Sequence, residues 1–377
     1  MPGVANKELN SAVTDYRKLL PGVPNIESPF FEHLFDKVDH VTRQIAHNLH
    51  TYGCALIRYP KEGFEEQAQR VCQDLKDKIS SSSWQTYQQH GIVSHEFVQE
   101  NAWTFQADVR QLAGNPRILD LLSTLYGRRA WPCHTTNYAV AVPQALRSEA
   151  SYLHSAPERF MCTIWLALED IQIANSPLQV FTGSQSWPVY HNEQLACSVS
   201  HLPHSDVNAR LQQVWQALLD QHKLSARQFT LKRGEALILA ANTLHRTDAQ
   251  IDQRLSRWLQ VTHYLFDDCA YYCPVESDIF NGKIAFMLNQ DIATGLPKLQ
   301  HYVGHEIEPA FIRKAYEGNY KEPEFNPRAY LAANPDVAQS GMNPYEHYLR
   351  FGRYEGRKLQ PELWSDSGNL HFPQAWD

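Results

Sequence analysis

The chain has 377 residues, 43% hydrophobic and 20% charged, with a formal net charge of −7. That composition fits an ordinary globular protein with one large core and an appendage, since single cores seldom exceed about 300 residues, and it argues against a nucleic-acid partner, which asks for a basic face. No run of about 18 apolar residues could span a bilayer, MPGVANKELN lacks the blocks of a signal peptide, and the seven cysteines include no CxxC pair, so a reducing cytoplasm is the expected setting.

In chain order, residues 1–29 are polar and Pro-rich and are expected to wrap the surface. Phe31, Leu34, Phe35, Val38, Val41, Ile45 and Leu49 fall at helical spacing and predict one amphipathic helix, ended by Gly53. Cys54–Arg58 reads as a short buried strand and Glu65–Ile79 as a second helix, which Ser80–Ser83 breaks. Asp108–Tyr126 is a third helix with an interruption at Gly114-Asn115-Pro116. Strands dominate afterwards: Trp131–Val142, Thr163–Leu168, Leu178–Phe181, Phe229–Leu231, Ala236–Ala240 and Arg257–Phe266, with a helix at Val207–His222 among them. The stretch Arg147–Tyr190 alternates with period two between Asn/Ser/Pro/Gly clusters, as the middle of a β-barrel or jelly roll does. Helices first and strands later give an α+β class in which helices buttress one face of an antiparallel sheet or barrel.

The tail differs. Phe325–Val337, Asn343–Leu349 and Phe351–Arg357 read as three short helices, two opening at Asn-Pro, where Asn caps and Pro takes the first helical position. This segment looks like the YLxxNPDV…HYxxxGxxEGR module attached to bacterial glycosyltransferases and other surface-polysaccharide enzymes; the plainer reading is a packed helical cap with no binding role. The expected division is residues 1–277, then an extension over 278–377 with the module at about 325–358.

Among eighteen histidines, His245 stands out. It follows the strand-like run Gly234–Leu244 into a turn and precedes Arg257, which opens the next strand. Such a pair can set an imidazole on a metal and a guanidinium fork on a carboxylate. A hydrogen-bonded core histidine is the bland alternative.

PERFMCTIWLALEDI…NSPLQVFTGSQSWPVYHNEQ, GEALILAANTLH and SRWLQVTHYLFDDCAYYCPVES are together similar to the phytanoyl-CoA dioxygenase family of Fe(II)- and 2-oxoglutarate-dependent oxygenases, from about Tyr52 to Ser277, and look closest to a bacterial branch. The resemblance implies a double-stranded β-helix with flanking helices. It puts His245 on the distal iron-binding histidine, and Arg257, with Gln144, on the 2-oxoglutarate side. Counted back from Pro157 without a gap, the family's iron-binding His-x-Asp falls on Arg147-Ser148-Glu149, and a guanidinium cannot ligate a metal. Two apart on a strand, Arg147 and Glu149 project to one face, so Arg147 is expected where the metal charge stood, paired with Glu149 and next to His245, which keeps a binder of anions in the pocket as a reading.

Two other readings stay open. His154-Ser155-Ala156 resembles the His-x-Ala of this superfamily's iron halogenases, at the cost of deleting residues before PERFMC. Alternatively Glu149, His154 or His134 joins His245 in a rearranged iron site. Glu169-Asp170 matches the family's acidic turn after a core strand. Tyr264, Phe266, Tyr271 and Tyr272 read as barrel and lid packing, although aromatic walls also suit a sugar. The function expected is that of a diverged member without ordinary oxygenase activity. It would be a binding or partner protein, or run a diverged reaction on a small molecule or glycan, beside an active homologue or a glycan-biosynthesis enzyme. The alternative is an active Fe(II)/2-oxoglutarate oxygenase with an unusual metal site.

Overall fold

The computed structural model describes residues 15–197, 204–278, 284–315, 325–352, 355 and 357–359. Residues 1–14, which include the N-terminus read as free of a signal peptide, and Arg353, Tyr354 and Gly356 of the tail motif lie outside the described residues.

Two helices, α1 (Phe31–Leu34) and α2 (His40–Tyr52), stand where the apolar stripe predicts one. The break is local. Asp39 takes the N-cap position and accepts from Thr42 N at 3.0 Å, and the new register leaves Val41 66% exposed. Gly53 closes α2 at φ 73°, where a Cβ would come within 2.5 Å of Thr243 Oγ1. After α3 (Phe64–Lys76) the serines do more than end a helix: Ser80 Oγ accepts from Ser83 N at 3.2 Å and starts α4 (Ser81–His90). The third predicted helix is divided where expected, into α5 (Ala107–Ala113) and α6 (Pro116–Tyr126), with Asn115 as cap and Pro116 in the first turn.

Twelve strands carry the body of the protein: β1 (Cys54–Arg58), β2 (Val98–Glu100), β3 (Ala130–Tyr138), β4 (Gln144–Arg147), β5 (His154–Ala156), β6 (Met161–Ala167), β7 (Leu178–Val180), β8 (Arg227–Phe229), β9 (Glu235–Ala240), β10 (His245–Thr247), β11 (Leu259–Phe266) and β12 (Ala270–Tyr272). They form an antiparallel sheet of order β1-β9-β6-β11-β3-β2 and a second of order β4-β10-β7-β8, while β12 pairs with β5. Successive residues of a strand face opposite ways. On one face of the large sheet Ile164, Leu166, Ile238 and Tyr264 join the core made with α2, α3, α5 and α6. On the other, Trp165, Leu237, Leu239, Leu259 and Val261 pack against Leu178, Val180 and Phe229 of the small sheet. Two facing sheets with an apolar filling are a double-stranded β-helix, in the α+β class. Helix α7 (His204–His222) covers the small sheet from outside, setting Val207, Leu211 and Trp215 on Leu146, Phe181 and Leu244.

Beyond the barrel come α8 (Pro309–Ala315), α9 (Pro327–Ala333), α10 (Pro335–Ser340) and α11 (Pro344–His347). The last three each follow an Asn, and Asn326 Oδ1 accepts from the amides of Arg328 and Ala329 at 3.0 and 3.1 Å. Asn334 Nδ2 donates to Lys358 O at 2.8 Å, and Arg357 pairs with Asp336. Among the described residues no helix is long and apolar enough to cross a membrane.

Candidate functional site

Antiparallel pairing sets Arg147, the last residue of β4, directly opposite His245, the first of β10. The chain then leaves β4 into a short turn, Glu149–Ser151. Ala150 N donates to Ala241 O at 3.0 Å and Ser148 Oγ to Asn242 Oδ1 at 3.0 Å, which ties this turn to the loop before His245. Glu149 is thus not on the strand, as alternation predicts, but in a turn that returns its carboxylate to Arg147.

The contacts converge on that carboxylate. Oε2 lies 3.3 Å from Arg147 Nη2 and 3.5 Å from His263 Nε2, and Oε1 lies 3.3 Å from His245 Nε2. All four residues are buried. His263 comes from β11, on the face of Leu259 and Val261, with Thr163 of β6 and His134 of β3 as register partners. The His134 and His263 rings meet edge to face with centroids 5.5 Å apart. His245 Nδ1 is 2.9 Å from the Thr243 carbonyl. A carbonyl only accepts, so Nδ1 carries a proton, and Nε2, which has no hydrogen-bond partner, faces the carboxylate.

Burial alone would push the Glu149 pKa up. The Arg147 charge, then the contacts from His245 and His263, outweigh it and hold the carboxyl well below its usual range. Burial, then neighbouring His263, holds His134 down to about 3 against the pull of Glu149, so that imidazole is neutral.

Arg257 is placed differently. It is 2% exposed, and burial brings its pKa down to about 10 against the opposing influence of Tyr138 and Tyr87. Among the described residues its guanidinium meets no carboxylate, and its Nε has no hydrogen-bond partner. Gln144 Nε2 donates to Tyr138 Oη at 3.3 Å, so Tyr138 links Gln144 to the surroundings of Arg257.

The other candidates separate. His154 and Ala156 lie on β5, where His154 pairs with Tyr272 of β12 and packs edge to face on His191 at 4.7 Å. Burial, then His191, holds His154 down to about 3. The residue opposite His245 is Arg147. Glu169 and Asp170 are spent on the turn they form: Glu169 accepts from Trp258 N at 2.7 Å and Ser256 Oγ at 2.9 Å, and Asp170 from Arg233 N at 2.8 Å. Sequence reasoning missed His263, although stepping by two from Arg257 through Leu259 and Val261 reaches it.

The model of the family described as phytanoyl-CoA dioxygenase (PhyH) matches residues 38–255. This chain belongs to the phytanoyl-CoA dioxygenase family. Solved structures similar to it include the non-heme alpha ketoglutarate dependent epimerase SnoN from nogalamycin biosynthesis, 17% identical over 61% of this chain and 83% of its own with a TM-score of 0.44. EctD from S. alaskensis with bound Fe is 12% identical over 61% and 77%, TM-score 0.42, and AviO1 from Streptomyces viridochromogenes Tue57 12% over 61% and 96%, TM-score 0.42. No curated protein is matched by sequence.

Members of the phytanoyl-CoA dioxygenase family use Fe(II) and 2-oxoglutarate, and the residues present here fit the two unequally. An orphaned, buried guanidinium at Arg257 fits one carboxylate of 2-oxoglutarate. The iron positions do not fit. Arg147 cannot ligate, and Glu149, His245 and His263 are strung along a carboxylate rather than gathered on a point. Among the described residues the one set of three such side chains whose ligand atoms all lie within 4.8 Å of one another is His154, Glu158 and His191.

Proposed function

We propose that this protein is a diverged phytanoyl-CoA dioxygenase family member that keeps the carboxylate pocket and has given up ordinary oxygenase activity, serving as a binding protein for a small organic acid. The observation that carries this is Arg147, opposite His245 and paired with Glu149. A permanent guanidinium charge stands where the family resemblance implies a metal ligand, and it neutralises the carboxylate that would share the metal. No iron-dependent step is derived for this site.

Arg257 supports the other half. Leaving a charge buried without a partner costs several kcal/mol, and a bound carboxylate accepting the two prongs of the guanidinium fork offsets that cost. Arg257 would hold one end of 2-oxoglutarate or a similar dicarboxylate, with Tyr138 and Gln144 beside it. The tail's resemblance to a module of surface-polysaccharide enzymes supports a glycan-related ligand, or a partner that is an active homologue or glycan-biosynthesis enzyme. The seven free thiols suit a reducing cytoplasm.

Calorimetric titration with 2-oxoglutarate tests the reading: the natural protein should bind it and the Arg257→Ala variant should not. A second reading has its own observation, since His245 and His263 both set Nε2 within 3.5 Å of the Glu149 carboxylate, the donor types of a two-histidine, one-carboxylate iron site. That active oxygenase would take up stoichiometric Fe(II) and release succinate from 2-oxoglutarate.

A further inference from the structure

We propose that His154, Glu158 and His191 form a binding site for a divalent first-row transition-metal ion, with ligands none of which is among Arg147, Glu149, His245 and His263. Their ligand atoms all lie within 4.8 Å of one another. Among the described residues no hydrogen bond or ion pair joins the three, although the His154 and His191 rings meet edge to face and Glu158 acts electrostatically on His191. Two imidazoles and one carboxylate, without thiolate, suit ions such as Zn(II), Fe(II) or Ni(II).

The three come from separate segments, and each segment is anchored by its neighbours. His154 is fixed by β5–β12 pairing, with the Tyr272 ring 5.3 Å from its own. Glu158 is held through the next residue: Arg159 Nη1 lies 2.8 Å from Glu27 Oε2, and Nη2 donates to Trp187 O at 3.0 Å. His191 is held through buried Asn192, whose Nδ2 reaches the carbonyls of Pro274 at 3.2 Å and of Val275 and Ser277 at 3.3 Å. Donors positioned by their surroundings and not by each other are what a preorganised metal site requires. Glu193 is close enough to act electrostatically on both His191 and Tyr272, which adds negative charge beside the site.

His154 is buried, His191 half-buried and Glu158 exposed, so an ion there would be reached from solvent and keep coordination positions open to water or a ligand. It would also staple the Pro157–Arg159 turn and the segment around His191 to the β5–β12 pair.

The test uses the full chain, stripped with chelator, titrated with Zn(II) by calorimetry and with Co(II) by visible absorption. One equivalent should bind. His191→Ala and Glu158→Gln, at positions open to solvent, should each weaken binding by about tenfold or more, and the Co(II) d–d bands should change with them. His245→Ala should leave the affinity intact. Absence of binding, binding indifferent to both His191→Ala and Glu158→Gln, or loss of binding in His245→Ala alone would overturn the proposal. Because 2-oxoglutarate binding should be unaffected by His191→Ala, failure here and failure of the carboxylate pocket are read separately.

Discussion

Arg147 and His245 face each other across the β4–β10 pair and grip the Glu149 carboxylate from two sides, each 3.3 Å from one of its oxygens. Cation and anion satisfy each other there without a metal, with the imidazole beside them. A buried pair of this kind is worth little as net stability, because desolvation offsets the attraction, but losing one partner strands a charge.

Glu149→Ala should therefore destabilise the fold by about 3–5 kcal/mol. The double change Arg147→Ala with Glu149→Ala should cost less than the sum of the single changes, because neither charge is left alone. Urea unfolding of the four proteins checks this; two single changes near zero would mean that the pair is solvated.

At Arg257 ligand and stability are coupled. 2-Oxoglutarate should raise the melting temperature of the natural protein and leave that of Arg257→Met unchanged, because the variant loses the guanidinium fork. Without ligand, Arg257→Met should melt no lower than the natural protein, since it removes a buried charge that has no carboxylate. A ligand-induced shift of equal size in both proteins would place the acid elsewhere.

Stability should fall on the acid side in two stages. His134 has a folded pKa of about 3 against an ordinary 6.5, so between those values the unfolded chain binds more protons. Its contribution is complete above about pH 6.5 and is lost as pH falls toward 3. Glu149 is held below the ordinary 4.5, so its contribution is complete above that value and is lost as pH drops through the folded one. Melting temperature should decline below about pH 6.5 and more steeply below about pH 4.5. His154, held down to about 3 as well, adds to the same stage, so His134→Phe should lessen the first stage without removing it; a flat profile from pH 7 to 5 in the natural protein would contradict it.

The barrel was legible in the sequence because its strands alternate on two faces of known period. Arg257–Phe266 could be assigned from Leu259, Val261 and Leu265 at every second place, and Ala236–Ala240 from an unbroken apolar run. The helix boundaries were less so. Asp39 and Ser80 are caps, and a cap acts through a side-chain bond to one amide, which the spacing of apolar residues does not record. The site was half legible. His245 and Arg257 sit at strand ends that pattern can find, and the pairing of Arg147 with Glu149 beside His245 follows from their spacing, although a turn and not strand alternation brings it about; the contact between Glu149 and His263 depends on which strands become neighbours across the sheets. His154, Glu158 and His191 were invisible as a set for the same reason, since Arg159 and Asn192 hold their segments together through contacts distant in sequence.

The most direct test measures iron and succinate together in the His191→Ala background, where the proposed site at His154, Glu158 and His191 is weakened. With Fe(II), 2-oxoglutarate and oxygen, protein carrying Arg147 and Glu149 should hold well under one equivalent of iron and release no succinate above a protein-free control. Arg147→His with Glu149→Asp, which restores the family's ligand types beside His245, should take up Fe(II). Stoichiometric iron and steady succinate release from the protein that retains Arg147 would contradict the account and put the rearranged site, with His263 as a ligand, in its place.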